Sequence, residues 1–380
     1  MYSVHQPWDP LNVCIVGKSY PPEFYSFIKN SRVRTVMEQI AQETEEDYQE
    51  LITLLEKFGV EVLRPNIDLD VEAYTQGGKI QPPPMTPCDF SIMVGDRFFH
   101  TWASELQVYQ DIAADHWPDI NSYAEFLTVP LHIQEEVLEH CKNNTFPHIH
   151  AYQHILDKIS AQGNSVIERP WPECGPVLNR AMVSRIGKDL YFGTETYNSD
   201  ASELAGKYRD WFPDYRTHVI NTGGHADGTY CPVKPGLIVS LYDIPNYADT
   251  FPDWEVVYLP GQSWAKVLPF LELKEKNRGK WWVPGQEQNT EFTDFVESWL
   301  AHWVGYVEET VFDVNMLVID EKNVVCNNYN KDVFDAFCRH GITPHVVNFR
   351  HRYFWDGGLH CITSDLNRTG PQQDYFPSRG

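Results

Sequence analysis

Apolar positions along the chain fall into short runs that come in pairs, each pair bent at a turn residue. Residues 90–101 carry one such pair about Gly95 and Asp96, and residues 181–192 a second about Gly187. Residues 229–240 carry a third about Gly236, and residues 314–325 a fourth about Asp320. β-Branched and aromatic residues on both sides of a Gly or Asp turn are what a hairpin requires. A second pattern follows: apolar residues at helical spacing, a Gly or Pro break, then a short β-branched run. Residues 46–57 lead into 58–63, residues 201–211 into 212–220, and residues 331–339 into 340–347; a shorter segment ends in 251–257.

Hairpin, helix and strand thus recur four or five times, a repeat of structure without obvious repetition of sequence. Each unit can cover only one of its faces, so neighbours must pack side by side, and closure into a ring satisfies all of them. Two strands are left over at opposite ends, near residues 12–16 and 361–363, and together they complete one unit and close the circle. The alternative is an open α/β sheet. Gln81-Pro82-Pro83-Pro84 and residues 278–288 read as loops rather than linkers, so residues 1–380 are expected to form a single domain.

The charge narrows the function. Acidic residues number 53 against 30 basic ones, a formal net charge of −23, which repels nucleic-acid phosphates and anionic lipid headgroups. No apolar run is long enough to span a bilayer, and the first residues carry neither a basic nor an apolar signal region. A cytoplasmic protein is expected, with no nucleic-acid or membrane partner. The cysteines at 14, 88, 141, 174, 231, 326, 338 and 361 form no C-x-x-C pair, which argues against a redox motif or structural zinc. G-x-G-x-x-G, Walker A and G-x-S-x-G motifs are also absent.

Polar residues recur just ahead of the first strand of each unit: Asp89, Asn179, Asp227, Asn315 and, at the last strand, Cys361. Equivalent positions in a ring converge near its axis, so these side chains can share a pocket. In Gly223-Gly224-His225-Ala226-Asp227-Gly228 the glycines allow a tight turn that presents an imidazole and a carboxylate, and period-two spacing puts both on one side of the backbone. In Asp356-Gly357-Gly358-Leu359-His360-Cys361 a cysteine follows a Gly-rich turn, placed to act as a nucleophile if a cation or imidazole stabilises its thiolate. From spacing alone, a core histidine and a core cysteine remain the simpler reading of these two.

Five segments in order along almost the whole chain resemble the glycine/inosamine-phosphate amidinotransferase family. They are residues 8–17, residues 89–95, residues 223–229 around His-Ala-Asp-Gly-Thr, residues 314–324, and Gly357-Gly358-Leu359-His360-Cys361. That family belongs to the guanidino-modifying (pentein) group. The resemblance implies an α/β fold, a five-bladed propeller of ββαβ modules. It implies Cys361 as nucleophile, His225 as general acid/base, and Asp89 and Asp227 as the carboxylates that hold a guanidinium. The implied reaction passes an amidino group from arginine or an analogue to an acceptor amine through an amidino-cysteine, with no metal or organic cofactor. Water as acceptor would instead make a guanidino hydrolase. Both partners are small molecules, and a homodimer is the family's common assembly.

The chain departs from the family pattern at three places. Leu178-Asn179-Arg180-Ala181-Met182 has Asn179 where the family has a carboxylate, and an amide keeps an acceptor while losing the charge. Residues 241–245 lack the basic residue expected to grip the donor's α-carboxylate, and Glu308 and Glu309 stand where the family has small hydroxylic residues. Asn179, Glu308, Glu309 and Asn315 join Asp89 as candidate substrate-binding residues, and the added acids favour a cationic acceptor over glycine. The same departures leave room for a binding relative without turnover. The segment from His148 through His150 to His154, with His140 and Cys141 nearby, has metal-like spacing but reads as a packed or surface cluster; residues 281–285 read as a pocket wall or ordinary packing, and residues 43–47 as a solvated helix start.

Overall fold

The computed structural model describes residues 1–75, 78–100, 130, 132–133, 150–168, 178–194, 206, 208–222, 225–241, 247–259, 281–300, 304, 314–355 and 357–379. Glu308, Glu309, His140, Cys141, His148, Cys174, Gly223, Gly224 and Asp356 lie outside them.

Among the described residues the strands sort into five sheets of three strands each. In four sheets an antiparallel hairpin is followed by a third strand parallel to the hairpin's second. Ser91–Val94 and Arg97–His100 are joined by Ser165–Glu168. Val183–Ile186 and Asp189–Thr194 are joined by Arg216–Asn221. Tyr230–Lys234 and Leu237–Ser240 are joined by Glu255–Tyr258, and Leu317–Asp320 and Asn323–Cys326 by Thr343–Val346. Gly95, Gly187 and Gly236 take positive φ in three of the hairpin turns, a conformation in which a Cβ is strained.

The fifth sheet has the same pattern with its hairpin cut open. Thr363–Arg368, from the C-terminal end, runs antiparallel to Leu11–Val16, which runs parallel to Glu61–Leu63. The two ends therefore close one ring, as the leftover strands imply, and the five-bladed α/β propeller replaces the open-sheet alternative.

Helix Lys331–Arg339 and the strand after it lie where the periodicity puts them. The helix ahead of Glu61–Leu63 does not begin at the acidic cluster: it spans Ser31–Lys57, and the Asn30 side chain caps it by accepting from the backbone N–H of Arg32 and Val33. Val33, Met37 and Ile40 continue its buried stripe upstream. The acids at 43–47 sit mid-helix because they have partners there: Glu45 with Arg64 at 2.6 Å, Asp47 with Arg350 at 2.7 Å and Glu43 with His351 at 2.6 Å. Trp281 is buried edge-on against Phe292 and Phe354, which favours packing over a pocket wall. Among the described residues no helix is long and apolar enough to cross a membrane.

The first strands of the blades surround the axis and are tied there by charge. Asp365, on Thr363–Arg368, receives Arg185 Nη2 at 2.7 Å, Arg180 Nε at 2.9 Å and Arg368 Nε at 2.6 Å. Arg185 also donates to the carbonyl of Met93, and Arg368 to those of Val318 and Asp9. One buried carboxylate thus organises three guanidiniums, whose remaining donors reach main chain in neighbouring blades.

Candidate active site

Among the described residues, each expected site residue arrives on the short segment that enters a blade, whereas Glu308 and Glu309 lie outside them. Asp89 ends the 3-10 turn Pro87–Asp89, ahead of Ser91–Val94. Its backbone carbonyl accepts the Asn179 side-chain amide at 2.9 Å, while the Asn179 oxygen accepts the backbone N–H of Met182 at 2.9 Å. Both ends of the Asn179 amide are engaged by main chain, so this residue joins the entrances of two blades. Asp227 lies in the 3-10 turn Ala226–Gly228, with His225 as the residue that opens it. The turn corrects the strand-period argument for His225 and Asp227: Ala226–Gly228 is a one-turn 3-10 helix rather than a strand, with His225 capping it and Asp227 inside it.

Cys361 sits on a turn in which the backbone N–H of Ile362 donates to Gly358 and that of Thr363 to His360, two residues before the last strand starts. Asn315 holds this turn. Its side-chain oxygen accepts the backbone N–H of His360 at 2.8 Å and of Cys361 at 3.2 Å, and its amide donates to Cys361 Sγ at 3.1 Å. A Cβ on Gly358 would come within 2.5 Å of that oxygen, so the glycine is what lets Asn315 approach.

The sulfur of Cys361 is 3.6 Å from Asp227 Oδ2 and the residue is 2% exposed. Asp227 is buried as well; its Oδ1 has no hydrogen-bond partner among the described residues. Burial pushes the Asp227 carboxyl up, but the hydrogen bond and charge of His360, then His225 and Arg180, outweigh it and hold it below its usual value. His225 therefore lies within electrostatic reach of the carboxylate that Cys361 faces.

Two residues without an assigned role stand in the same cluster. His360 Nδ1 lies 2.7 Å from Asp227 Oδ2, and Cys88 Sγ lies 3.3 Å from that nitrogen and 3.5 Å from that oxygen. Burial, then the Arg180 charge, push the His360 imidazole down against the opposing pull of Asp227, to which its Nδ1–H donates. Burial pushes the Cys88 thiol well up, with Asp227 adding to it. Arg180 supports the arrangement from behind, donating to the carbonyls of Thr363 at 2.8 Å and His360 at 3.3 Å. Their only signal in the sequence is adjacency: Cys88 precedes Asp89, His360 precedes Cys361 and Arg180 follows Asn179. Away from this cluster, His154 is exposed and is spent on the Arg64 carbonyl at 3.0 Å and on Asn66, in keeping with a surface histidine.

A buried thiol sulfur, an amide donor on it and a carboxylate facing it make a site suited to a planar cation. Sequence comparison points the same way. Glycine amidinotransferase, mitochondrial, from Gallus gallus is 24% identical over 401 residues, spanning 98% of this chain and 84% of that protein. The motif resemblance holds. Among solved structures, an amidinotransferase from Microseira wollei in saxitoxin biosynthesis superposes with a TM-score of 0.62 at 16% identity, over 99% of both chains. The inosamine-phosphate amidinotransferase from Streptomyces griseus gives the same TM-score at 18% identity, again over 99% of both. The amidinotransferase-like, five-bladed fold is therefore shared along the whole chain. No family model matches.

Proposed function

We propose that the protein is an amidinotransferase that works through a covalent amidino-cysteine on Cys361. The observation that carries the proposal is the placement of Cys361 Sγ against Asp227, with the Asn315 amide donating to the sulfur. A guanidinium carbon is a poor electrophile, so catalysis depends on holding it flat against the attacking atom. Asp227, kept ionised, clasps the guanidinium, and Asp89 at the neighbouring blade entrance offers the second carboxylate. The Cys361 thiolate forms a bond to the guanidinium carbon, and the C–N bond to the donor breaks as His225 gives that nitrogen a proton. The acceptor amine then attacks the amidino carbon, His225 takes a proton back, and the C–S bond breaks to restore the thiolate.

The acceptor belongs to the proposal too. The formal charge of −23, the missing basic residue at 241–245 and the acids Glu308 and Glu309 support an amine with a positive end over glycine. The cytoplasmic location rests on the sequence reading, in which the cysteines form no close-spaced pair, and the homodimer is carried over from the family resemblance alone.

Incubation with arginine alone, followed by mass spectrometry of the Cys361 peptide, tests the first half-reaction. An amidino adduct on wild-type protein and none on a folded Cys361→Ala variant is expected. A second incubation with arginine and either glycine, lysine or a diamine should give ornithine and a new guanidino compound. Wild-type protein that forms no adduct, or releases citrulline or ammonia in place of a new guanidino product, overturns the proposal.

A further inference from the structure

Cys88, Asp227 and His360 bring three different donor atoms to one point. The Cys88 sulfur, the Asp227 oxygen and the His360 nitrogen all lie within 4.8 Å of one another. Their separations are 2.7 Å for nitrogen to oxygen, 3.3 Å for sulfur to nitrogen and 3.5 Å for sulfur to oxygen. A tetrahedral zinc ion with its usual bond lengths needs edges of about 3.3 Å between nitrogen and oxygen and about 3.5 Å from sulfur to either. Two edges already fit, and the third opens by about 0.6 Å once the ion replaces the shared proton. The other Asp227 oxygen, Oδ1, accepts no hydrogen bond among the described residues, so the buried carboxylate also lacks a positive partner on that side.

We propose that these three residues bind a thiophilic divalent cation, Zn²⁺ above all, and that the bound ion blocks the active site. Mixed sulfur, imidazole and carboxylate donors suit Zn²⁺ and disfavour Mg²⁺ and Ca²⁺, which take oxygen. On binding, the Cys88 thiol releases its proton to solvent and His360 moves its remaining proton to Nε2, leaving Nδ1 free to ligate. The Cys361 sulfur is 3.6 Å from the same carboxylate oxygen, close enough to border an ion held there. An occupied site therefore engages the carboxylate that would clasp the guanidinium and crowds the sulfur that would attack it. The blocking effect rests on the proposed function; the binding does not.

The test uses the full chain stripped with a chelator, then titrated with Zn²⁺ against a chromophoric competitor and, separately, with Co²⁺ followed by absorption. One ion per chain is expected, with a sulfur-to-cobalt charge-transfer band. Cys88→Ser and His360→Gln should each weaken Zn²⁺ binding by at least about tenfold, and circular dichroism of both shows whether they fold. Loss of the cobalt sulfur band only in Cys361→Ala, or unchanged Zn²⁺ binding in either folded variant, overturns the proposal. Zn²⁺ should also inhibit adduct formation. Binding without turnover counts against the amidinotransferase reading, whereas turnover without binding counts against the metal site.

Discussion

Asp365→Asn tests whether the axis of the propeller is held by charge. The substitution keeps the size of the side chain and one acceptor oxygen but removes the negative charge. Three guanidiniums lie 2.6–2.9 Å from that carboxylate, and all four residues are at least nine-tenths buried. Without it the three positive charges face one another out of water. Breaking a buried ion pair from one side costs about 3–5 kcal/mol, and that is a large part of the roughly 5–15 kcal/mol by which a folded protein is stable. The pH dependence follows from the direction of the shift. Burial pushes the Asp365 carboxyl up, but Arg180, Arg185 and Arg368 outweigh it and hold it well below its usual value. A folded value below the unfolded one, about 3.9, gives stability that is fully present above that pH and is lost only as acid brings the pH down through the folded value. Urea unfolding followed by tryptophan fluorescence should therefore show the full deficit at neutral pH and the same deficit near about pH 5. A deficit under about 1 kcal/mol, the level of an exposed pair, or one that vanishes between those conditions, refutes the argument.

Two further outcomes follow from the turn that carries Cys361. Asn315→Asp keeps the oxygen that accepts from His360 and Cys361 but loses the amide that donates to the sulfur; a hydrogen bond to a charged group contributes about 1.5–3 kcal/mol. Adduct formation near about pH 8, where a carboxyl group is ordinarily charged, should slow by at least tenfold, and a rate within threefold of wild type in a folded variant counts against the role of the amide. Gly358→Ala puts a Cβ 2.5 Å from the Asn315 oxygen, whereas in Gly357→Ala the nearest atom, a Thr86 methyl, is 3.3 Å away. Thermal unfolding should show about 1–3 kcal/mol lost in the first, typical of overpacking, and less in the second; equal losses would mean that Asn315 moves aside freely.

The repeat was legible because hairpins carry their signal locally. Gly187 and Gly236 at positive φ and the flanking β-branched runs mark where the chain reverses, and no distant contact is needed to read them. The cut hairpin of the fifth blade was legible by elimination, since Leu11–Val16 and Thr363–Arg368 had no local partner. The start of the long helix was misplaced for the opposite reason. An acidic run resembles a helix N-terminus, but here its carboxylates are engaged by Arg64, Arg350 and His351, which lie elsewhere in the chain and arrive only on folding.

The candidate site divides along the same line. Asp89, Asp227, Asn315 and Cys361 were readable as polar residues at equivalent blade entrances, a relation that depends on position within a unit. Cys88 and His360 occupy no such equivalent positions, and their contact joins residues 272 apart in the chain. It exists because Thr363–Arg368 closes the ring beside Ser91–Val94, where Ser364 and Ser91 meet at 3.0 Å and the Cys88 N–H reaches the Cys361 carbonyl at 3.3 Å. Ring closure thus does more than cover an apolar face. It brings the residue before a carboxylate and the residue before a thiol onto one Asp227 oxygen, the atom for which the two proposed cations, a guanidinium and a metal ion, would compete.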